Sequence, residues 1–200
     1  MVSKGLDFPN VTLVGVITAD TILNLPDFRA SEHTFSLLTQ VAGRSGRAEL
    51  EGKVIIQTYM PEHYCIASAQ KHDYLGFYAQ EVEARGVLRY PPFSHVATLL
   101  LRGKNEAAVI EAANAVESQL QIWLEDQIPS APRQPTVEIL GPAPAPLSKI
   151  EGKFRWHLLL RSNSVERISQ LLKHLTEEPP VAVKPNVIEL VIDIDPTNIL

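Results

Sequence analysis

A single cysteine among 200 residues, Cys65, leaves no partner for an intramolecular disulfide and too few thiolates for a cysteine-built zinc site. That usage fits a reducing compartment. No apolar run approaches the ~18 residues a membrane span requires, and Lys4 and Asp7 interrupt the stretch where a signal peptide needs its hydrophobic core. The expected address is therefore the cytoplasm, with no membrane partner. Positive charge is scarce as well: 18 Lys and Arg against 23 Asp and Glu give a formal charge of −5. This argues against holding nucleic acid by bulk charge, which relies on cations displacing phosphate counterions, and leaves only a local patch.

What is present is a globular composition, 45% hydrophobic and 20% charged, able to bury a real core. Val11 to Ile17 and Lys53 to Tyr59 are continuous apolar runs rich in β-branched residues, as buried parallel strands are. Between them Phe35, Leu38, Val41 and Ala42 recur at helical spacing after a candidate cap, Ser31. The segment reads as strand, helix, strand, and a parallel sheet normally has more strands than two, so it belongs to a larger α/β domain. From Glu62 to about Arg89 the spacing predicts one helix with interleaved aromatics, stopped at Tyr90-Pro91-Pro92-Phe93. Strand, helix, strand, strand, helix and strand follow from Ser94 to Ile194, which is the ferredoxin-like βαββαβ order. Its second helix starts at a capping pair, Asn163 and Glu166. The proline-rich stretches Ile128 to Pro135 and Gly141 to Pro146 read as connections. The expected organisation is 1–60 partial α/β lobe, 61–92 helical connector and 93–200 C-terminal domain.

Three groups of residues could carry chemistry. Gln40, Arg44 and Arg47 fall on one helical stripe, with Gly43 and Gly46 keeping it low enough for a ligand to approach. Two guanidinium forks beside an amide suit a nucleotide triphosphate, because arginine matches phosphate oxygens and stabilises charge on a transferring phosphoryl group. A helix end favours basic residues without any ligand, so the octapeptide is ambiguous by itself. Lys4, Gly5 and Asp7 form a turn-rich loop before the first strand, and Asp20 leaves that strand at the end where open α/β sheets bind ligands. Lys149, Lys153 and Arg155, with nearby Arg102 and Lys104, make the basic strip to which any DNA contact falls; the plain alternative is a solvated surface. His63, Cys65 and His72 match no common zinc spacing and read as packing. Trp123 reads as core, and so does Trp156, although an aromatic beside Lys153 and Arg155 could stack on a base.

The order Lys-Gly-x-Asp-Phe, buried strand, Asp, then Gln-x-x-Gly-Arg-x-Gly-Arg resembles the fifth and sixth motifs of superfamily 2 helicases. Further segments narrow the resemblance: Pro26 to Glu32, Thr39 to Arg44, His72-Asp73-Tyr74, Arg89 to Phe93, Gly141 to Leu147, Phe154-Arg155-Trp156 and Asp193 to Pro196. Together they are similar to the primosomal protein N′ family, the PriA-type replication-restart DNA helicases, along the whole chain. The resemblance implies an ATP-dependent 3′ to 5′ helicase of the primosome, with two RecA-like lobes, an inserted zinc module and a ferredoxin-like C-terminal domain.

This sequence departs from the family in lacking the Gly-x-x-x-x-Gly-Lys-Ser/Thr phosphate loop, the Asp-Glu-x-His box for Mg²⁺ and the zinc cysteines. The expectation is a truncated gene product or a fragment, namely the end of the second lobe plus the C-terminal domain, inactive as an ATP hydrolase alone. By the resemblance, Arg44 and Arg47 contact the γ-phosphate of ATP held with Mg²⁺ by the missing first lobe, and Gln40 senses it. Lys4 and Gly5 lie on the loop coupling nucleotide to DNA. Forked and single-stranded DNA, single-stranded DNA-binding protein and primosome components are the implied partners. The competing reading is a stand-alone DNA- or protein-binding module, or an inactive remnant of that helicase.

Overall fold

The computed structural model describes residues 12–43, 53–127 and 136–199, and the chain divides into two compact units, residues 1–87 and 88–200. In the first unit the two β-branched runs form strands β1 (Leu13–Val16) and β2 (Lys53–Ile56), paired in parallel from Leu13 opposite Lys53 to Val16 opposite Ile56. Between them in sequence lie the short helix α1 (Asp20–Leu23) and the longer α2 (Ala30–Ala42). Phe35 and Leu38 of α2 are buried with Cys65, Ile66 and Ala69 of α3 (Tyr64–Gln70) and Phe77 of α4 (Tyr74–Leu88). The helices of the expected connector thus share one core with α2.

Two local expectations are corrected here. Ser31 does not cap α2, which begins one residue earlier at Ala30 after Arg29. Asp27 starts the helix instead: its carboxylate accepts from the Arg29 N–H (2.8 Å) and its carbonyl from the Ala30 N–H (2.9 Å). The helix expected over 62–89 is two helices, because His72 adopts φ 53° and Asp73 restarts the chain by accepting from the Gly76 N–H at 2.8 Å. A Cβ on Gly76 would lie 2.1 Å from the Asp73 carboxylate, so a larger residue there would require that side chain to shift.

The second unit contains β3 (His95–Gly103), α5 (Glu106–Gln127), β4 (Glu138–Ile150), β5 (Lys153–Ser162), α6 (Val165–Glu177) and β6 (Ile188–Ile194). The four strands form one antiparallel sheet in the order β4-β5-β3-β6. Strand pleating sends alternate residues to opposite faces. Leu99 and Leu101 of β3 and Leu158 and Leu160 of β5 are fully buried with Val109, Val116 and Leu120 of α5 and Ile168, Leu171 and Leu175 of α6. Both helices therefore cover the same face of the sheet. The opposite face carries Thr98, Leu100 and Arg102 of β3, Arg155, His157 and Leu159 of β5, and Glu189 and Val191 of β6.

The cap of α6 is Ser164 rather than Asn163; its hydroxyl accepts from the Arg167 N–H at 3.3 Å and donates to Glu166 at 2.7 Å. Gly141 to Pro146 is not a connection but part of β4, an edge strand, the position in a sheet where prolines are tolerated because half of the backbone N–H positions face away from the neighbouring strand. The register slips between Leu140 and Ala143 and again between Pro144 and Lys149, which is how the strand accommodates these residues. Gly141 has φ 100°, and a Cβ there would meet the His157 carbonyl at 2.9 Å. Gly141→Ala is accordingly expected to destabilise the second unit by about 1–3 kcal/mol, read from denaturant unfolding. A midpoint unchanged from wild type would contradict this account of the bulge.

Candidate nucleic-acid interface

In the first unit Asp20 is buried at the C-terminal end of the parallel pair. The Thr58 hydroxyl donates to its Oδ1 at 2.7 Å and the Tyr59 N–H to its Oδ2 at 3.1 Å. The Thr58 bond, followed by backbone donors, holds the carboxyl below the usual carboxylate range. Both oxygens are thus engaged in joining the end of β1 to the segment after β2, a structural role beside the ligand role the sequence suggested. Gln40 is exposed on the last turn of α2. Gly43 caps that helix with φ −69°, and a Cβ there meets only ordinary contacts at 3.6 Å or more, so nothing among the described residues demands glycine. Helix α2 ends at Ala42, and Lys4, Gly5, Asp7, Arg44 and Arg47 lie outside the described residues.

Packing and capping account for Cys65 and His63, whereas His72, expected to pack with them, is exposed at the turn after α3. Cys65 is fully buried, and burial pushes its thiol up to about 12, so it is protonated rather than a thiolate. The His63 ring accepts from the Cys65 N–H at 3.3 Å, capping α3. Sequence reasoning missed an ionic network beside them. Glu81, buried on α4, accepts from the Tyr64 hydroxyl at 2.6 Å and from Arg85 Nε at 2.7 Å, while Arg85 Nη2 bonds Glu32 at 2.7 Å. Burial, then the bond to Glu81, pushes the Tyr64 phenol up to about 12. Only the Glu81–Arg85 spacing of four, a common helical pair, signalled it in the sequence.

In the second unit the antiparallel register sets Arg155 of β5 opposite Arg102 of β3, and Arg102 opposite Glu189 of β6. Directly paired residues share a face, so these three form a row across the face that neither α5 nor α6 covers. Lys153, two residues before Arg155, joins the row from the β4–β5 hairpin, whose turn residues Glu151 and Gly152 take φ 50° and 77°. Arg102 holds Glu189 through Nε at 2.8 Å and Nη2 at 2.5 Å, and Lys153 Nζ reaches the same carboxylate at 3.2 Å. Bonds from Arg102 and then Lys153 pull Glu189 down to about 2. Arg155 is buried and donates to the Leu147 carbonyl at 3.0 Å. Next to it, burial and then the Arg155 charge push His157 below the usual imidazole range, leaving a neutral ring on the face at pH 7.

The five candidate cations are not all brought together. Lys149 pairs with Phe154, on the helix-covered side, and its ammonium sits 4.2 Å from that ring's centroid. Lys104 is exposed just beyond the end of β3. Trp156 packs against the helix-side core, as the sequence suggested, and Trp123 lies at its margin with the Arg167 guanidinium 5.2 Å from its ring. At the far end of the open face Glu138 binds Arg161 at 2.7 Å and Arg89 at 2.9 Å, with Arg161 5.3 Å from the Tyr90 ring. The Arg89 to Phe93 segment is thereby tied to the sheet.

Residues 87–197 match the family described as the primosomal protein N C-terminal domain. The replication restart protein PriA of Synechocystis sp. is 41% identical over 199 residues, covering 100% of this chain and 22% of that protein. The same-named proteins of Bacillus subtilis and Rickettsia conorii are each 39% identical, over 98% and 99% of this chain and 23% and 28% of theirs. The chain spans about a quarter of the length of these curated relatives.

Proposed function

Because the chain belongs to the primosomal protein N C-terminal domain family, we propose that it is the C-terminal part of an ATP-dependent 3′ to 5′ DNA helicase that restarts stalled replication forks. The first unit is read as the end of a RecA-like lobe. Its parallel pair exposes Leu13 by 57% and Ile55 by 59%, although parallel strands are normally covered on both faces. In that reading ATP and Mg²⁺ are held by a first lobe elsewhere in the full-length protein, zinc by cysteines elsewhere, and Arg44 and Arg47 face the γ-phosphate. The second unit is read as ferredoxin-like, supported by its βαββαβ order and by a sheet with both helices on one side. Its partners are forked or single-stranded DNA, with single-stranded DNA-binding protein and primosome components acting on the same assembly.

The observation that carries the DNA reading is the exposed pair Arg102 and Lys153, beside the buried Arg155, on the open face of an otherwise acidic chain. Guanidinium and ammonium groups there suit phosphate oxygens and carry no base-reading pattern. Forked DNA titrated against the full chain at several salt concentrations is expected to bind weakly and without sequence preference. Arg102→Ala with Lys153→Ala should flatten the slope of log K against log salt by about 2, roughly one for each lost cation. An unaltered slope would remove the open face from the interface.

A further inference from the structure

We propose that Glu189 is a built-in competitor for nucleic-acid phosphate: its carboxylate occupies the place on Arg102 and Lys153 that a phosphate takes when DNA binds, and so limits affinity. The inference rests on the reading of the open face as the DNA surface. A guanidinium fork matches carboxylate and phosphate oxygens by the same pair of parallel N–H bonds. Glu189 takes up that fork, with oxygens on Arg102 Nε and Nη2, and shares Oε2 with Lys153. The register fixes Glu189 directly opposite Arg102, so the carboxylate is placed by the sheet rather than by a loop. Yet β6 is an edge strand and the Glu189 side chain is 45% exposed, which leaves the pair open to exchange with an incoming anion. Glu151 also acts on Arg102, raising its pKa together with Glu189. The row thus meets DNA with two of its cations sharing one carboxylate that offsets half their charge, and a phosphate gains both only by displacing it.

The test uses the full chain and a forked DNA with single-stranded arms, titrated by fluorescence anisotropy over a salt series. Glu189→Gln keeps the shape and removes the charge; it is expected to tighten binding about 3- to 10-fold and to steepen the salt slope by about 1. Glu111→Gln on α5 makes the same charge change on an exposed site away from the face and should leave both quantities nearly unchanged. Equal tightening by Glu111→Gln would reduce the effect to net charge and overturn the inference. Arg102→Ala separates the two levels of the argument. If it weakens binding while Glu189→Gln leaves binding unchanged or weakens it, the face binds DNA but Glu189 merely positions Arg102. If neither variant changes binding, the face is not the DNA surface and the inference falls with it. Exposed pairs contribute little to folding, so both variants should melt near wild type; were Arg102→Ala to lose its transition, Lys153→Ala serves the same arm.

Discussion

Arg47→Ala, placed in a full-length protein carrying this chain, is expected to lower the kcat for ATP hydrolysis on the order of 10³-fold or more. Forked-DNA affinity should stay close to wild type, since the open sheet face proposed to meet DNA lies in the other unit. The magnitude follows from what an arginine does at a transferring phosphoryl group: it neutralises charge that develops in the transition state, and water does not replace it. Arg44→Ala should act in the same direction. Steady-state turnover with and without forked DNA measures both, and an unchanged kcat would remove the phosphate role from the residue concerned.

Arg85→Ala should destabilise the first unit by about 3 kcal/mol, because it leaves the buried Glu81 carboxylate with the Tyr64 hydroxyl as its remaining hydrogen bond in this network. Arg85 also joins Glu32 on α2 to α4 and lies 5.1 Å from the Phe28 ring, so its loss loosens two elements together. Arg85→Lys should recover little, as one ammonium lacks the fork that serves Glu81 through Nε and Glu32 through Nη2. Denaturant unfolding followed by a probe in the first unit reads this directly; a loss under about 1 kcal/mol would place the network among surface pairs of little consequence.

How much of this was legible in the sequence depended on whether a signal was local. The β-branched runs and the periodicities of Phe35, Leu38, Val109, Val116, Ile168 and Leu172 placed the strands and helices, because burial on one face imposes its period directly. Caps were less legible. Asp27 outcompeted Ser31, and Ser164 outcompeted Asn163, since several small polar residues in a row can each accept an N–H and tertiary context selects among them. Gly141 to Pro146 read as a connection because proline and glycine weaken a strand in isolation; an edge position makes them tolerable, and edge position is not written locally. The basic strip was visible as composition, but its division was not. Only cross-strand register puts Arg102 and Arg155 on one face, sends Lys149 to the other and brings Glu189 from the far end of the chain against two of the cations.

The central claim, that the open face of the second unit's sheet meets DNA, is tested most directly by photo-crosslinking a forked DNA substituted with 5-bromodeoxyuridine to the full chain and mapping the joined peptides. Crosslinks concentrated on β3, β5 and β6, in the peptides holding Leu100, Arg102, His157 and Val191, are the result this account predicts. Crosslinks confined to α5 and α6, on the covered side of the sheet, would contradict it.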